Sequence, residues 1–436
     1  MSLLISNYFI FNLQKVAQAT FVILYPVMFK NTSIFFVFSL GMLCAFAPMC
    51  TDVYLPALPQ VVDTFNTTTS LAQSSLTASF LGLALGQLII GPVSDTYGRT
   101  KPLIISLVLF AISSFLCAIA PTITLFIFFR ILQGMCASGG IVLTRSIACD
   151  LYKGHELTSF MAFLMSINSL APILAPLLGS LILSFVSWVY IFYILCGWGI
   201  LMLIMAKAFV KESLPIDKRD KSVKASLQRM KTDIFNLKFM LVVLSLSFIM
   251  AGFFSYLAAS PFVFQRIYEF SAFEFSLTFA FISICVTVVA PFAGRLSRRL
   301  SELKVVIISI VLMIISGAVV IAISFIKPQS FIYVLAALAV YCSMMGLSQT
   351  AGFGVVMSFK RGGAGAASGI FGVMYFAIGS LISPLVGILG EKSMLPLGLN
   401  LFICAIIALL FLFIALKIDV KAEQKAPIKE ESVECQ

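Results

Sequence analysis

Charge is scarce in this sequence. Asp, Glu, Lys and Arg make up 11% of its 436 residues and apolar types 61%, whereas a soluble domain carries about 25% charged and about 45–50% apolar residues. That balance excludes a water-soluble enzyme, a nucleic-acid-binding domain and a disordered tail. Histidine is scarcer still, because the single His155 stands in a polar turn, Lys153-Gly154-His155-Glu156, and reads as a solvated loop residue. With no HExxH pattern and no phosphate-binding glycine loop, the chain shows no basis for metal or nucleotide chemistry. Its ten cysteines are scattered singly, without a CxxC pair, and read as small packing residues rather than metal ligands or disulfides.

What the sequence has in quantity is long apolar runs. They fall at about 34–58, 71–93, 102–120, 122–145, 158–184, 187–209, 237–260, 274–296, 303–326, 329–355, 363–388 and 395–417. A spanning helix needs about 20 apolar residues, and backbone groups in lipid must be satisfied within the segment. Twelve transmembrane helices are therefore expected, in an all-α integral membrane protein.

The net charge of +11 reads as an orientation signal rather than a nucleic-acid signal. With the start of the first span placed inside, 25 of the 29 basic residues fall in inner loops and ends, against three outside, Arg266, Lys327 and Lys392. That positive-inside bias predicts that both termini are cytoplasmic.

The one long break in apolarity carries nine basic and four acidic residues between 207 and 238. Val223, Leu227, Met230, Ile234 and Leu237 step through it at helical spacing, which fits a basic amphipathic helix on the inner leaflet and equally a plain solvated linker. The expected organisation is an N-terminal extension at 1–32, a first six-helix half at 33–209, a basic cytoplasmic linker at 210–236, a second half at 237–417 and a cytoplasmic tail at 418–436. Residues 1–27 fit a span poorly and show no cleavage site. Met28-Phe-Lys-Asn has the look of an ordinary start, so a native beginning at Met28 fits as well as one at Met1.

The halves repeat. Pro56 and Pro261, Pro121 and Pro328, Gly91 and Gly294, and the pair Ala175-Pro-Leu-Leu-Gly179 and Ser383-Pro-Leu-Val-Gly387 all lie 203 to 208 residues apart. This predicts two six-helix bundles related by a pseudo-two-fold axis along the membrane normal.

Two charged residues fall inside the predicted hydrocarbon layer, Asp52 and Arg130. An intramembrane charge costs at least about 2.5–3.5 kcal/mol on insertion scales and marks a functional candidate. Counted from Pro59 and Thr122, both lie roughly 10–12 Å below the outer surface, so contact through a shared cavity is expected. A carboxylate there can bind or lose a proton as water access changes. The alternative is a buried ion pair that only locks two helices.

Gly91-Pro-Val-Ser-Asp95-Thr-Tyr-Gly98-Arg99-Thr-Lys101 resembles the signature loop between helices two and three of the major facilitator superfamily, with its last basic pair shifted by Thr100. Gly91 and Gly98 would allow tight turns, and Asp95 would accept hydrogen bonds at the N-terminus of span eleven near Gly362–Ala366, closing an inner gate. At the repeated site Gly294-Arg-Leu-Ser-Arg298 the acid is replaced. Arg130-Ile-Leu-Gln133-Gly134 resembles the superfamily's R-x-x-Q-G motif, whose arginine is associated with proton coupling; its repeat partner is Ala337. In span five, Ala171-Pro172-Ile-Leu-Ala175-Pro176-Leu-Leu-Gly179-Ser180 is similar to the antiporter motif, with three glycines replaced, and its prolines would bend the helix.

Thr51-Asp52-Val-Tyr54-Leu55-Pro56 and Arg145-Ser-Ile-Ala-Cys-Asp150-Leu-Tyr152 resemble the Bcr/CflA branch of drug:proton antiporters. The resemblance implies a non-enzymatic, multi-pass protein of the bacterial inner membrane. It would export small lipophilic compounds, cationic or neutral, against an inward proton flow, with no cofactor beyond the proton gradient, no nucleic-acid partner and a monomeric state. Tyr54, Gln133, Asn168, Tyr256, Tyr341 and Tyr375 are the candidates for lining a substrate cavity. A proton symporter importing a nutrient remains open as the rival, and a non-transporting membrane sensor or enzyme is the remote one.

Overall fold

A computed structural model describes residues 33–219, 222–223, 234–326, 330–359, 364–388 and 393–417. Among these, eleven helices are long and apolar enough to cross a membrane, and a bent pair at the start supplies a twelfth. The spans in chain order are a broken first span within 34–65, then Thr69–Tyr97, Thr100–Ala118, Ile123–Leu151, Gly154–Leu183, Val189–Phe209, Leu237–Phe262, Ala272–Val289, Glu302–Ile326, Ile332–Ser358, Ala364–Ile382 and Leu395–Lys417.

Side-chain caps start several spans where the backbone N–H groups would lack partners. Thr68 accepts from Leu71 N at span two, Thr122 from Leu125 N at span four, and Asn236 from Phe239 N at span seven. Ser271 and Glu274 form a reciprocal capping box at span eight.

Spans one to six and seven to twelve form two bundles. In the first, span two packs along span four and span three along spans four and six; in the second, span seven packs along spans eleven and twelve, and span nine along spans ten and twelve. The bundles meet where span two lies against span eleven and span five against span eight. Exposed side chains such as Ile105, Phe115, Ile194 and Leu410 give the exterior an apolar surface suited to lipid.

Three boundaries differ from the sequence expectation. Span one does not end at Pro59; its last helical piece, Leu58–Phe65, carries it to a left-handed cap at Asn66. Proline at a first turn is compatible with a helix start, so Pro59 continues the span as a new segment. Span two likewise runs through Gly91 and Pro92 to Tyr97. The eighth run, by contrast, stops at Val289, and Pro291 caps a separate short helix, Phe292–Leu300. The proposed amphipathic linker helix falls largely on residues 224–233, outside the described residues, as does the extension before residue 33.

Candidate functional site

Span one is built to break. Pro48 has no N–H for the carbonyl of Cys44, and the span bends by 43° between Phe35–Cys44 and Phe46–Phe65. A second interruption follows Asp52, the last residue of the helix Phe46–Asp52, before the 3₁₀ turn Leu55–Ala57. Pro56 leaves the Asp52 carbonyl without a helical partner there. Asp52 is buried, and its carboxylate Oδ1 accepts from Thr51 Oγ1 at 2.8 Å. Gly179 of span five lies against the backbone carbonyl of Val53, so the broken segment is held where a side chain on span five would collide with it.

Arg130 is fully buried beside this break. Its Nη1 donates to Cys50 O at 3.3 Å and to Gln133 Oε1, and its Nε donates to Ser75 O at 3.3 Å. The guanidinium lies over the rings of Tyr54, at 4.9 Å, and Phe192, at 5.4 Å. Gln133 donates in turn to Ser114 Oγ at 2.8 Å, and the Tyr54 hydroxyl shares a 2.9 Å hydrogen bond with Ser75 Oγ. The second terminal nitrogen, Nη2, has no hydrogen-bond partner among the described residues.

The two intramembrane charges lie on either side of the same helix break, and the alternative of a direct ion pair is not realised. Among the described residues no ion pair joins Asp52 to Arg130, whose Nη1 donates instead to the Cys50 carbonyl. Carbonyls and aromatic faces hold the guanidinium, which removes the locking ion pair as an account of these residues. Depth counted from Pro59 was the weak step, because the span continues to Phe65.

At the end of the bundle that carries Arg99, a second charged cluster forms. Gly98, at φ +90°, makes the turn between spans two and three, a conformation that favours glycine. Gly91, inside the helix, makes none. Arg99 donates to Asp95 Oδ1 at 2.6 Å, Asp150 Oδ2 at 2.9 Å and Ser94 Oγ at 2.7 Å. Burial disfavours its charge, but the hydrogen bonds to Asp150 and Asp95 prevail and raise its pKa above the ordinary arginine value.

Glu212, from the linker after span six, caps span three by accepting from the backbone N–H of Arg99 at 2.8 Å and of Thr100 at 3.1 Å. Desolvation pushes its pKa up, but these bonds, a third from Leu214 N and the charge of Arg219 pull it below the ordinary carboxylate value. Ser213 donates to Asp150 at 2.8 Å, tying the same linker segment to span four. Glu212 had no sequence signal, being 113 residues from its partner. The expected contact of Asp95 with residues 362–366 lies outside the described residues.

At the opposite end the two bundles are joined. Arg266, on a π-helical turn after span seven, pairs with Asp63 at 2.6 Å and donates to Pro59 O at 3.3 Å, while Gln265 donates to Pro56 O at 3.1 Å. Gln73 donates to Ala258 O, and Ser276 of span eight to Pro176 O of span five. The ring of Phe80 stacks on that of Phe254 at 4.0 Å. Pro172 and Pro176 lie inside a helix that runs without interruption, and the Pro176 carbonyl is the one that accepts from Ser276.

The six cavity candidates separate. Tyr54 and Gln133 belong to the buried network around Arg130. Tyr341 is buried in the second bundle with its hydroxyl donating to Leu401 O at 3.3 Å, away from the interface of the halves. Tyr256 is buried against Phe279, and Asn168 and Tyr375 are half-buried. Phe254, Phe371 and Phe376, which surround Tyr375, were hidden among 42 phenylalanines. A groove of about 710 Å³ between spans nine and ten is lined by apolar residues such as Leu312, Val319 and Ile323 and touches none of these groups.

Residues 39–384 match the family model described as Major Facilitator Superfamily. A Bacillus subtilis protein described as an uncharacterized MFS-type transporter, YdgK, is 37% identical over 86% of this chain and 94% of its own length. Multidrug resistance protein MdtL of Salmonella paratyphi C is 28% identical over 85% of this chain and 94% of its own. Among solved structures, a D-xylose-proton symporter superposes with a TM-score of 0.70 at 16% identity, covering 88% of this chain and 98% of that one.

Proposed function

The chain belongs to the major facilitator superfamily, a family of transporters rather than enzymes, and from that premise we propose that it is a proton-coupled exporter of small lipophilic compounds. The observation that carries this reading is Asp52. It is a buried carboxylate at a helix break, with no ion-pair partner among the described residues. Broken helices with an ionisable group at mid-membrane suit a site whose occupancy and helix geometry change together. The likeness to a multidrug resistance protein supports export of drug-like compounds.

In this reading the end bearing Arg99, the linker and most basic residues faces the cytoplasm of a bacterium, with both termini inside. Asp63–Arg266 and the neighbouring bonds then close the outer end, and substrate enters from the inner side. Protonation of Asp52 from outside would release substrate, and loss of the proton to the cytoplasm would reset the site. Arg130 stands beside the same break without pairing with Asp52 among the described residues, so no countercharge traps the carboxylate in an ion pair. Asp95, Arg99, Asp150 and Glu212 steady the inner ends of spans two, three and four, where gating requires rigid-body movement.

Inside-out vesicles test the proposal. Adding a transported compound should dissipate an imposed proton gradient with the wild type and leave it intact with Asp52→Asn at equal membrane levels. Flux in the direction of the proton gradient, rather than against it, would identify an importer and overturn the assignment.

A further inference from the structure

The short helix Phe292–Leu300 joins spans eight and nine and presents two unlike faces. Ala293 is buried and Leu296 and Leu300 are partly buried, so this side packs against spans nine and ten. Phe292, Arg295 and Arg299 follow one another at i, i+3 and i+7, which places them on one stripe of the helix. All three are exposed, as is Arg298 beside them. The Arg295 guanidinium lies over the Phe292 ring at 5.3 Å. On span eight, Phe281 and Val288 are exposed as well. The apolar outer surface of that span therefore reaches Phe292 and gives way to guanidinium groups within about one helical turn, roughly 5 Å.

The matching turn of the first bundle shows what these arginines lack. There Arg99 is held by Asp95 and Asp150. In the second bundle Arg298 stands 203 residues after Asp95, and the stretch 353–358, where offsets of 203 to 208 place the counterpart of Asp150, contains no acid. Arg295, Arg298 and Arg299 accordingly make no ion pair among the described residues. Glu302, the nearest acid in the sequence, turns its carboxylate against the backbone of Gly354 on span ten. Three exposed guanidinium groups thus stand at the edge of an apolar surface with no carboxylate of the protein's own to meet them. Guanidinium recognises phosphate through paired N–H groups, and an exposed aromatic ring beside basic side chains suits the boundary between headgroups and acyl chains.

We propose that Phe292, Arg295, Arg298 and Arg299 form a docking site for an anionic phospholipid, with its phosphate on the arginines and its acyl chains along Phe292 and Val288. Charge complementarity supplies the attraction. Continuity with the exposed apolar side of span eight selects a lipid over a soluble anion, which has no use for the exposed ring. Because the helix packs on spans nine and ten, a bound headgroup ties this end of the second bundle to the bilayer surface. The inference goes beyond the transport reading and does not depend on it.

The test uses the full chain carrying Phe292→Trp, which keeps an aromatic ring at the site, in nanodiscs of mixed phosphatidylglycerol and phosphatidylcholine. One lipid or the other carries brominated acyl chains, and the readout is quenching of the fluorescence that the substitution adds. Half-maximal quenching should need at least about tenfold less brominated phosphatidylglycerol than brominated phosphatidylcholine. Adding Arg295→Gln and Arg299→Gln together should bring the two lipids within about twofold of each other, whereas Arg295→Lys with Arg299→Lys should keep part of the preference. Lys207→Gln, at the exposed end of span six, should change nothing. Unchanged elution and thermal transition establish that the variants are folded. Equal quenching by the two lipids with the arginines in place, or a preference that survives their replacement by glutamine, overturns the proposal. So does a preference abolished by inorganic phosphate but not by chloride of equal ionic strength, which assigns the arginines to a soluble anion.

Discussion

The two bundles share a fold but not a chemistry. At mid-membrane the first holds a connected polar network of Arg130, Gln133, Ser114, Tyr54 and Ser75 beside Asp52. At the repeated position the second has Ala337, whose carbonyl accepts from Ser316, and its buried Tyr341 is bonded to the backbone of span twelve. What the second bundle brings to the interface is aromatic surface, from Phe254, Phe371, Tyr375 and Phe376. Duplication supplies the scaffold, and among the described residues the charges buried at mid-membrane, Asp52 and Arg130, belong to one copy. In the proposed reading, proton handling falls to the first half and substrate contact to the aromatic face of the second.

Several substitutions would break or sharpen this contrast. The largest effect is expected from Arg130→Leu, which removes the cation that organises the polar network. Proton-coupled transport should fall on the order of a hundredfold, equivalent to about 2.7 kcal/mol, as measured in vesicles at equal protein levels. A loss no greater than that from a surface arginine would show that the network is structural filler.

A smaller effect is expected where the bundles meet. Asp63→Asn breaks an exposed ion pair with Arg266, and such pairs contribute about 0.2–1 kcal/mol, enough to move a two-state equilibrium by about 1.4- to fivefold toward separation of that end. Spin labels on spans one and seven should report a longer-distance population that grows by that factor. No change would mean that Gln265, Gln73 and Ser276 alone hold the closure.

The smallest effect concerns the linker. Glu212 has a folded-state pKa depressed below its unfolded value, near 4.3, so its stabilising contribution is fully present above that pH and is lost as pH falls through the folded value. Wild type should therefore exceed Glu212→Gln in thermal stability by less than about 1 kcal/mol at neutral pH, and the difference should vanish in acid. A gap that widens on acidification would contradict the cap at span three.

Much of the fold was legible because apolar runs and loop charges obey membrane physics one segment at a time. The errors came where proline was read as an end. Pro59 begins the last segment of span one rather than terminating it, and Gly91-Pro92 lies within span two, because proline is tolerated at helix starts and in transmembrane helices whose neighbours satisfy the freed groups. Pro291 did end a helix, and was missed inside an apolar run. Asp52 and Arg130 could be found as charges among apolar residues. That Arg130 is held by carbonyls and aromatic rings rather than by Asp52 could not, since it depends on side-chain direction around a broken helix. Glu212 and the aromatic wall were invisible for a simpler reason: one meets its partner only through tertiary folding, and the other is a few phenylalanines among many.

The central claim is that export depends on the buried carboxylate of Asp52. It is tested most directly by growing an efflux-deficient bacterial host on a panel of lipophilic antimicrobials with wild type or Asp52→Asn at matched membrane levels. The account predicts that the wild type raises tolerance to at least one compound and that the substitution returns it to the level of the empty host. Equal protection by Asp52→Asn would contradict it.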